Sequence, residues 1–169
     1  RRYFFPALIS SLTYGCLWSY LSATTFFFVN GLGFTMIQYA YFDAVLLVFY
    51  VFGSLYTQRL LKAQKIETVL NRGLKLCILG GIALFVVSTV FPMNAFVITA
   101  FMTIHSFGMA LVFPNAATLA LDSTPDNLGS GSAMLSTLQS LISGLMIILA
   151  GYLYVDNIIW VAVMIVSAA

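Results

Sequence analysis

The chain has 169 residues, of which 62% are hydrophobic and only 7% charged, with seven Lys and Arg against five Asp and Glu. A water-soluble domain carries roughly a quarter charged residues. So little charge cannot cover a folded surface in water, which excludes a soluble enzyme or a nucleic-acid-binding domain and makes lipid the solvent for most of the chain.

Backbone groups in lipid must be satisfied within the spanning segment, so the choice is helices or a closed barrel. Barrel strands alternate apolar and polar residues over about ten positions. The apolar runs here are long and continuous, as in residues 76–91. The predicted fold class is an all-α polytopic membrane bundle.

In chain order, Arg1-Arg2 precede an apolar stretch that lacks the small-residue cleavage site of an export signal. The chain is read as a fragment that begins inside a longer protein. A first helix is expected over residues 3–28, broken by Asn30, Gly31 and Gly33. A second covers 35–56, followed by a basic loop at 57–72 that carries Arg59, Lys62, Lys65 and Arg72. The third covers 73–91 and ends at Pro92. The fourth covers 94–121, with Pro114 inside it as a kink. The fifth covers 129–154. A sixth covers 157–169, which at 1.5 Å per residue is too short to span.

Every Lys and Arg then falls on one side of the bundle. The positive-inside rule puts that side, and the N-terminus, in the cytoplasm. The residues between the fourth and fifth helices, Phe113 to Leu135, read FPNAATLALDSTPDNLGSGSAML. Pro125 and Gly129 end one helix and open the next. Ser132, Ser136, Ser140 and Gly144 recur every four residues. Small residues at that spacing let helix backbones approach closely in lipid, so this face is expected to pack.

Cys16 and Cys77 both lie in apolar runs, and neither a CxxC motif nor a His cluster exists. They read as packed thiols, and neither a metal nor a cofactor is expected. Asp43 is the only acid deep in a predicted helix, about 10–12 Å from that helix's start. An ionisable group there is costly unless it faces protein or water, so Asp43 is a candidate for proton coupling or cation binding. His105, about 15 Å along the fourth helix, is a second proton-coupling candidate, against the plainer reading of a buried neutral imidazole. Tyr14 and Trp18 are one turn apart at mid-depth. With Tyr39 and Gln139 they are the candidate walls of a substrate cavity. One histidine and one deep aspartate on separate helices make no catalytic cluster, and no Walker-type loop exists, so neither enzymatic activity nor ATP use is expected.

Three stretches carry a family resemblance: SYLSATTFFFVNGLGFT (Ser19–Thr35), GSLYTQRLLKAQKIETVLNRG (Gly53–Gly73) and GMALVFPNAATLALDSTPDNLGSGSAMLSTLQ (Gly108–Gln139). The chain resembles the C-terminal half, helices seven to twelve, of a major facilitator superfamily transporter, closest to the Bcr/CflA group of drug:proton antiporters. The resemblance implies six helices in two inverted three-helix repeats, a missing N-terminal half as partner, and alternating access. It also implies proton-coupled efflux of small amphipathic compounds across a bacterial inner membrane. The partners would be lipid, a small-molecule substrate and protons, with no nucleic acid. In the superfamily's Gly-x-Leu-x-Asp-Arg loop motif, Gly53 and Leu55 match. Thr57 and Gln58 replace the acid and base, with Arg59 one place later. Gly53, Arg59, Pro114 and Gly129 are the expected packing and gating positions beside the serine stripe. A metabolite or siderophore transporter of the same fold, and a membrane protein without transport activity, are the open alternatives.

Overall fold

The computed structural model describes residues 2–90 and 94–153. The described chain is all helical: α1 (Phe4–Phe26), α2 (Met36–Leu61), α3 (Ile66–Val90), α4 (Ala95–Asp122) and α5 (Leu128–Leu153). Four helical stretches are long and apolar enough to cross a membrane, namely Met36–Leu61, Ile66–Val86, Ala95–Asp122 and Pro125–Tyr152. The chain is therefore a helical bundle of membrane type. The helix expected over 157–169 and the stop at Pro92 lie outside the described residues.

Helix ends follow local chemistry. α1 relaxes into a π-turn over Phe27–Gly31, and Gly33 then takes a positive φ of 72° that favours glycine. Thr35 and Gln38 form a reciprocal capping box that opens α2. The Asn94 side chain accepts from the Val97 N–H to open α4. The segment 57–72 is not a loop, contrary to expectation. α2 runs to Leu61 and α3 begins at Ile66, because no Gly or Pro stops the helix between residues 54 and 72. Arg72 and Lys75 thus sit on α3 itself, exposed or partly so, with stems long enough to carry their charges toward a polar boundary.

α4 is the hub. It packs against α1, α2 and α3, while α5 lies mainly on α1. The buried face of α1 carries hydroxyls: Ser10, Ser11, Thr13, Ser19 and Thr24. Most return their protons to their own helix. Ser11 donates to the Ala7 carbonyl at 2.7 Å, Thr13 to Ile9 at 2.7 Å and Thr24 to Tyr20 at 2.8 Å. Back-bonding of this kind lets a polar helix occupy a bundle centre.

Glycines set the close crossings. A Cβ on Gly80 would lie 2.7 Å from the His105 backbone nitrogen, and one on Gly73 would lie 2.7 Å from the Leu111 Cβ. On the facing helix, a Cβ on Gly108 would lie 2.9 Å from the Cys77 nitrogen. α3 and α4 therefore meet backbone to backbone, the arrangement small residues permit in lipid. α2 meets α4 in the same way at Gly53, where a Cβ would stand 2.7 Å from the Phe107 carbonyl oxygen. α5 meets α1 differently: the Met146 side chain fills the space above Gly15, where a Cβ would lie 2.5 Å from its sulfur.

Pro114 lies inside α4, and the helix continues through it. Proline has no N–H, so the Ala110 carbonyl loses its partner within the helix. Thr57 of α2 supplies a substitute: its hydroxyl lies 3.3 Å from that carbonyl and 2.9 Å from the Gly53 carbonyl. Thr57 thus has a local task. Thr57→Val is expected to destabilise the bundle by about 1 kcal/mol. In a Pro114→Ala background, where the restored backbone N–H can serve the Ala110 carbonyl, the loss should shrink. A double-mutant cycle read by denaturation in detergent checks the coupling.

Candidate functional site

A groove of about 510 Å³ lies between α1, α2 and α4. Leu17 and Leu21 of α1 form one wall, Leu47 and Tyr50 of α2 the other, and Met102, Ser106 and Met109 of α4 the floor. One ionisable acid lines it: Asp43, half-buried on α2. The Ser106 hydroxyl donates to the Leu46 carbonyl at 2.9 Å and ties the floor to the α2 wall. An apolar groove with one carboxylate suits an amphipathic cation or a proton better than an anion.

Beyond the groove lining, on the side away from Arg2, Arg59 and Lys62, one α2 side chain reaches the α1 backbone. Tyr39 is buried there. Its hydroxyl lies 3.3 Å from the Leu21 carbonyl and 3.2 Å from the Thr24 hydroxyl. It also interacts with the Asp43 carboxylate one helical turn along α2. Above it the rings of Phe28, Phe34, Tyr39 and Phe42 pack edge to face or tilted, with centroids 5.0–6.0 Å apart. Phe96 of α4 adds a further edge contact to Phe42 at 5.3 Å. Tyr39 thus packs beside the groove and is absent from its lining.

Tyr14, Trp18 and Gln139 are absent from the groove lining and gather at its other end. Tyr14 stacks on Phe113 with centroids 5.5 Å apart, and Trp18 meets Tyr14 edge-on at 6.0 Å. The Gln139 amide donates to the Ser10 hydroxyl at 3.1 Å, and Ser10 lies 3.5 Å from the Phe113 carbonyl. These contacts link α5, α1 and α4 about one turn below Leu17 and Met109.

His105 lies outside this groove, in the α3–α4 crossing. Its Nδ1 sits 3.1 Å from the Cys77 carbonyl, an acceptor, so Nδ1 carries a proton. Among the described residues, Nε2 is buried without a partner. The thiol of Cys77 returns a contact to the His105 carbonyl at 3.8 Å. His105→Gln is therefore expected to lower thermal stability through loss of the packed contact at the α3–α4 crossing, which thermal unfolding in detergent checks.

The serine stripe does not face the described helices. Ser132 and Ser136 are exposed, Ser140 is likewise exposed, and Gly144 and Gly129 have open space where a Cβ would be. α5 packs through the neighbouring face instead, with Leu135, Met146 and Ala150 buried. The small residue of that contact belongs to α1, so the large side chains of α5 enter Gly15 rather than the reverse. Arg59 is exposed near the end of α2.

Ser106 and Tyr50 in the groove, and the Gly73–Cys77–Gly80 face of α3, escape a reading of the sequence. The second has a signal: three small residues at helical spacing within the predicted third helix. No protein-family model and no curated protein sequence matches this chain.

Proposed function

We propose that the chain is one six-helix half of a secondary membrane transporter with the major facilitator fold, closest to the Bcr/CflA drug:proton antiporters. It works by alternating access against a complementary half. The observation that carries this reading is the α1–α2–α4 groove with Asp43 as its acid. A carboxylate at that depth is costly to keep and marks an ion or substrate path by default. In the mechanism, the groove takes an amphipathic cation by apolar contact and by attraction to the ionised carboxylate. Protonation of Asp43 removes that attraction and releases the cargo, so proton and cargo exclude one another from the site.

The helix pairing supports the same reading. α1 and α5 run parallel, with Tyr3 donating to the Gly131 carbonyl at one end and Met146 over Gly15 at mid-length. α2 and α4 also run parallel, with Phe42 on Phe96 and Thr57 at Ala110. Exchanging α1 with α4 and α2 with α5 maps one pair onto the other. That is the relation an inverted three-helix repeat requires. The charge asymmetry supports an orientation with the basic end cytoplasmic, and the resemblance to the Bcr/CflA group is the ground for a bacterial inner membrane.

The test is efflux of a fluorescent lipophilic cation from cells that lack their own pumps, with and without a protonophore. Protonophore-sensitive efflux supports antiport. Absence of efflux moves the reading to a metabolite transporter of the same fold.

A further inference from the structure

α3 packs on α4 and barely touches α2, through a side made of Gly73, Cys77 and Gly80. On the side turned away from that crossing, Arg72 and Lys75 are exposed. The same face continues with Leu79, Ile82 and Val86, all exposed. Steps of three, four, three and four residues keep these five side chains on one line along the helix. The line is charged near the α2–α3 turn and apolar along the rest. We propose that this face is a seat for one anionic phospholipid of the leaflet at the basic end. Its phosphate sits between Arg72 and Lys75, and an acyl chain runs along Leu79, Ile82 and Val86.

Depth and charge select the occupant. About twenty residues cross the hydrocarbon, and counting back from Val90 sets its edge near residue 71. Arg72 and Lys75 therefore leave the backbone just inside that edge and reach outward to keep their charges among the headgroups. Side chains three apart on a helix have Cβ atoms about 5–6 Å from each other, close enough for one phosphate to meet both. The arginine offers it a planar fork and the lysine a point charge. Among the described residues neither cation forms an ion pair. Glu67, the only acid on α3, stands five and eight residues away from them rather than three or four. A soluble anion would meet the charges and leave the apolar line unused. A zwitterionic lipid brings a cation of its own beside the phosphate, so the seat favours a headgroup with net negative charge. This rests on membrane residence and not on the transport reading.

The experiment uses the full chain in phosphatidylcholine vesicles. Ile82→Cys carries a bimane fluorophore, while Cys16 and Cys77 are buried and serve as the unlabelled background. The quencher is a trace phospholipid with a nitroxide midway along one acyl chain, supplied as phosphatidylglycerol or as phosphatidylcholine. Each basic residue near a membrane surface strengthens the binding of anionic lipid about fivefold. Phosphatidylglycerol is therefore expected to quench at a concentration about tenfold lower than phosphatidylcholine. Arg72→Gln with Lys75→Gln should bring the two lipids level, and Arg72→Lys should keep most of the preference. Arg59→Gln with Lys62→Gln removes as many charges from the end of α2 and should leave the preference within about twofold. Equal quenching by the two lipids at Ile82→Cys overturns the proposal. So does a preference lost equally with the Arg59 and Lys62 pair, which would mark a diffuse field rather than a seat. Labelled Leu145→Cys on α5, a helix without cations, is the positional control. The same phosphatidylglycerol preference there also overturns the seat. Cation efflux is read separately, so the seat and the antiport reading stand or fall independently.

Discussion

Asp43→Asn is expected to lower proton-driven efflux of a lipophilic cation by about tenfold or more, with the remaining activity insensitive to a protonophore. Asparagine keeps the size and hydrogen bonding of the side chain but neither charges nor titrates. The half-buried carboxylate is the charge the groove offers to a cation. A loss of tenfold corresponds to about 1.4 kcal/mol, which is modest for a single ion pair shielded from water. Asp43→Glu should retain part of the activity, because it keeps a titrating carboxylate one methylene further out. Vesicle efflux with an imposed pH gradient, run on the three proteins side by side, decides the point. Undiminished proton-driven efflux in Asp43→Asn would return this residue to a structural role.

The second large effect is structural. Gly80→Val should cost the fold about 3 kcal/mol, the upper range for overpacking a tight contact. The new side chain would meet the His105 backbone, with nitrogen at 2.7 Å and Cα at 2.9 Å, and neither atom can move aside without α4 moving. Gly144→Ala is the control. Nothing lies near a Cβ at that position, so the change should be neutral or slightly stabilising through helix propensity. Unfolding of the two proteins in mixed detergent measures both. Equal destabilisation by the two changes would mean that the α3–α4 crossing is not the tight one.

The contrast between Gly80 and Gly144 also marks how far the sequence could be read. Membrane residence was legible from charge depletion alone, since no arrangement of so few charges covers a surface. The approximate places of α1, α2, α4 and α5 were legible from apolar runs and from breakers such as Gly33, Asn94 and Pro125. The start of α3 was not, because Lys and Arg signal a polar boundary and leave helix content open. Asp43 was legible as a site candidate because its cost in lipid depends on its depth alone. The partner faces were not. Ser132–Gly144 and Gly73–Gly80 show the same small-residue pattern, and spacing does not say which stripe meets a neighbour. The task of Thr57 was not legible from its position in the chain. Its use appears once Pro114 and Ala110 are seen across the helix gap.

The hydroxyl-rich face of α1 has a consequence for biosynthesis. α1 leaves the ribosome before the helices that cover it, and the face it will bury is lined with hydroxyls. Its partners α4 and α5 emerge roughly a hundred residues later, about 5–20 s at ordinary elongation rates. Until then the stripe Ser10, Ser11, Thr13, Ser19 and Thr24 has no protein surface to meet. A helix of this kind is a natural client for an insertion chaperone, or waits at the translocon's lateral exit until the bundle closes over it.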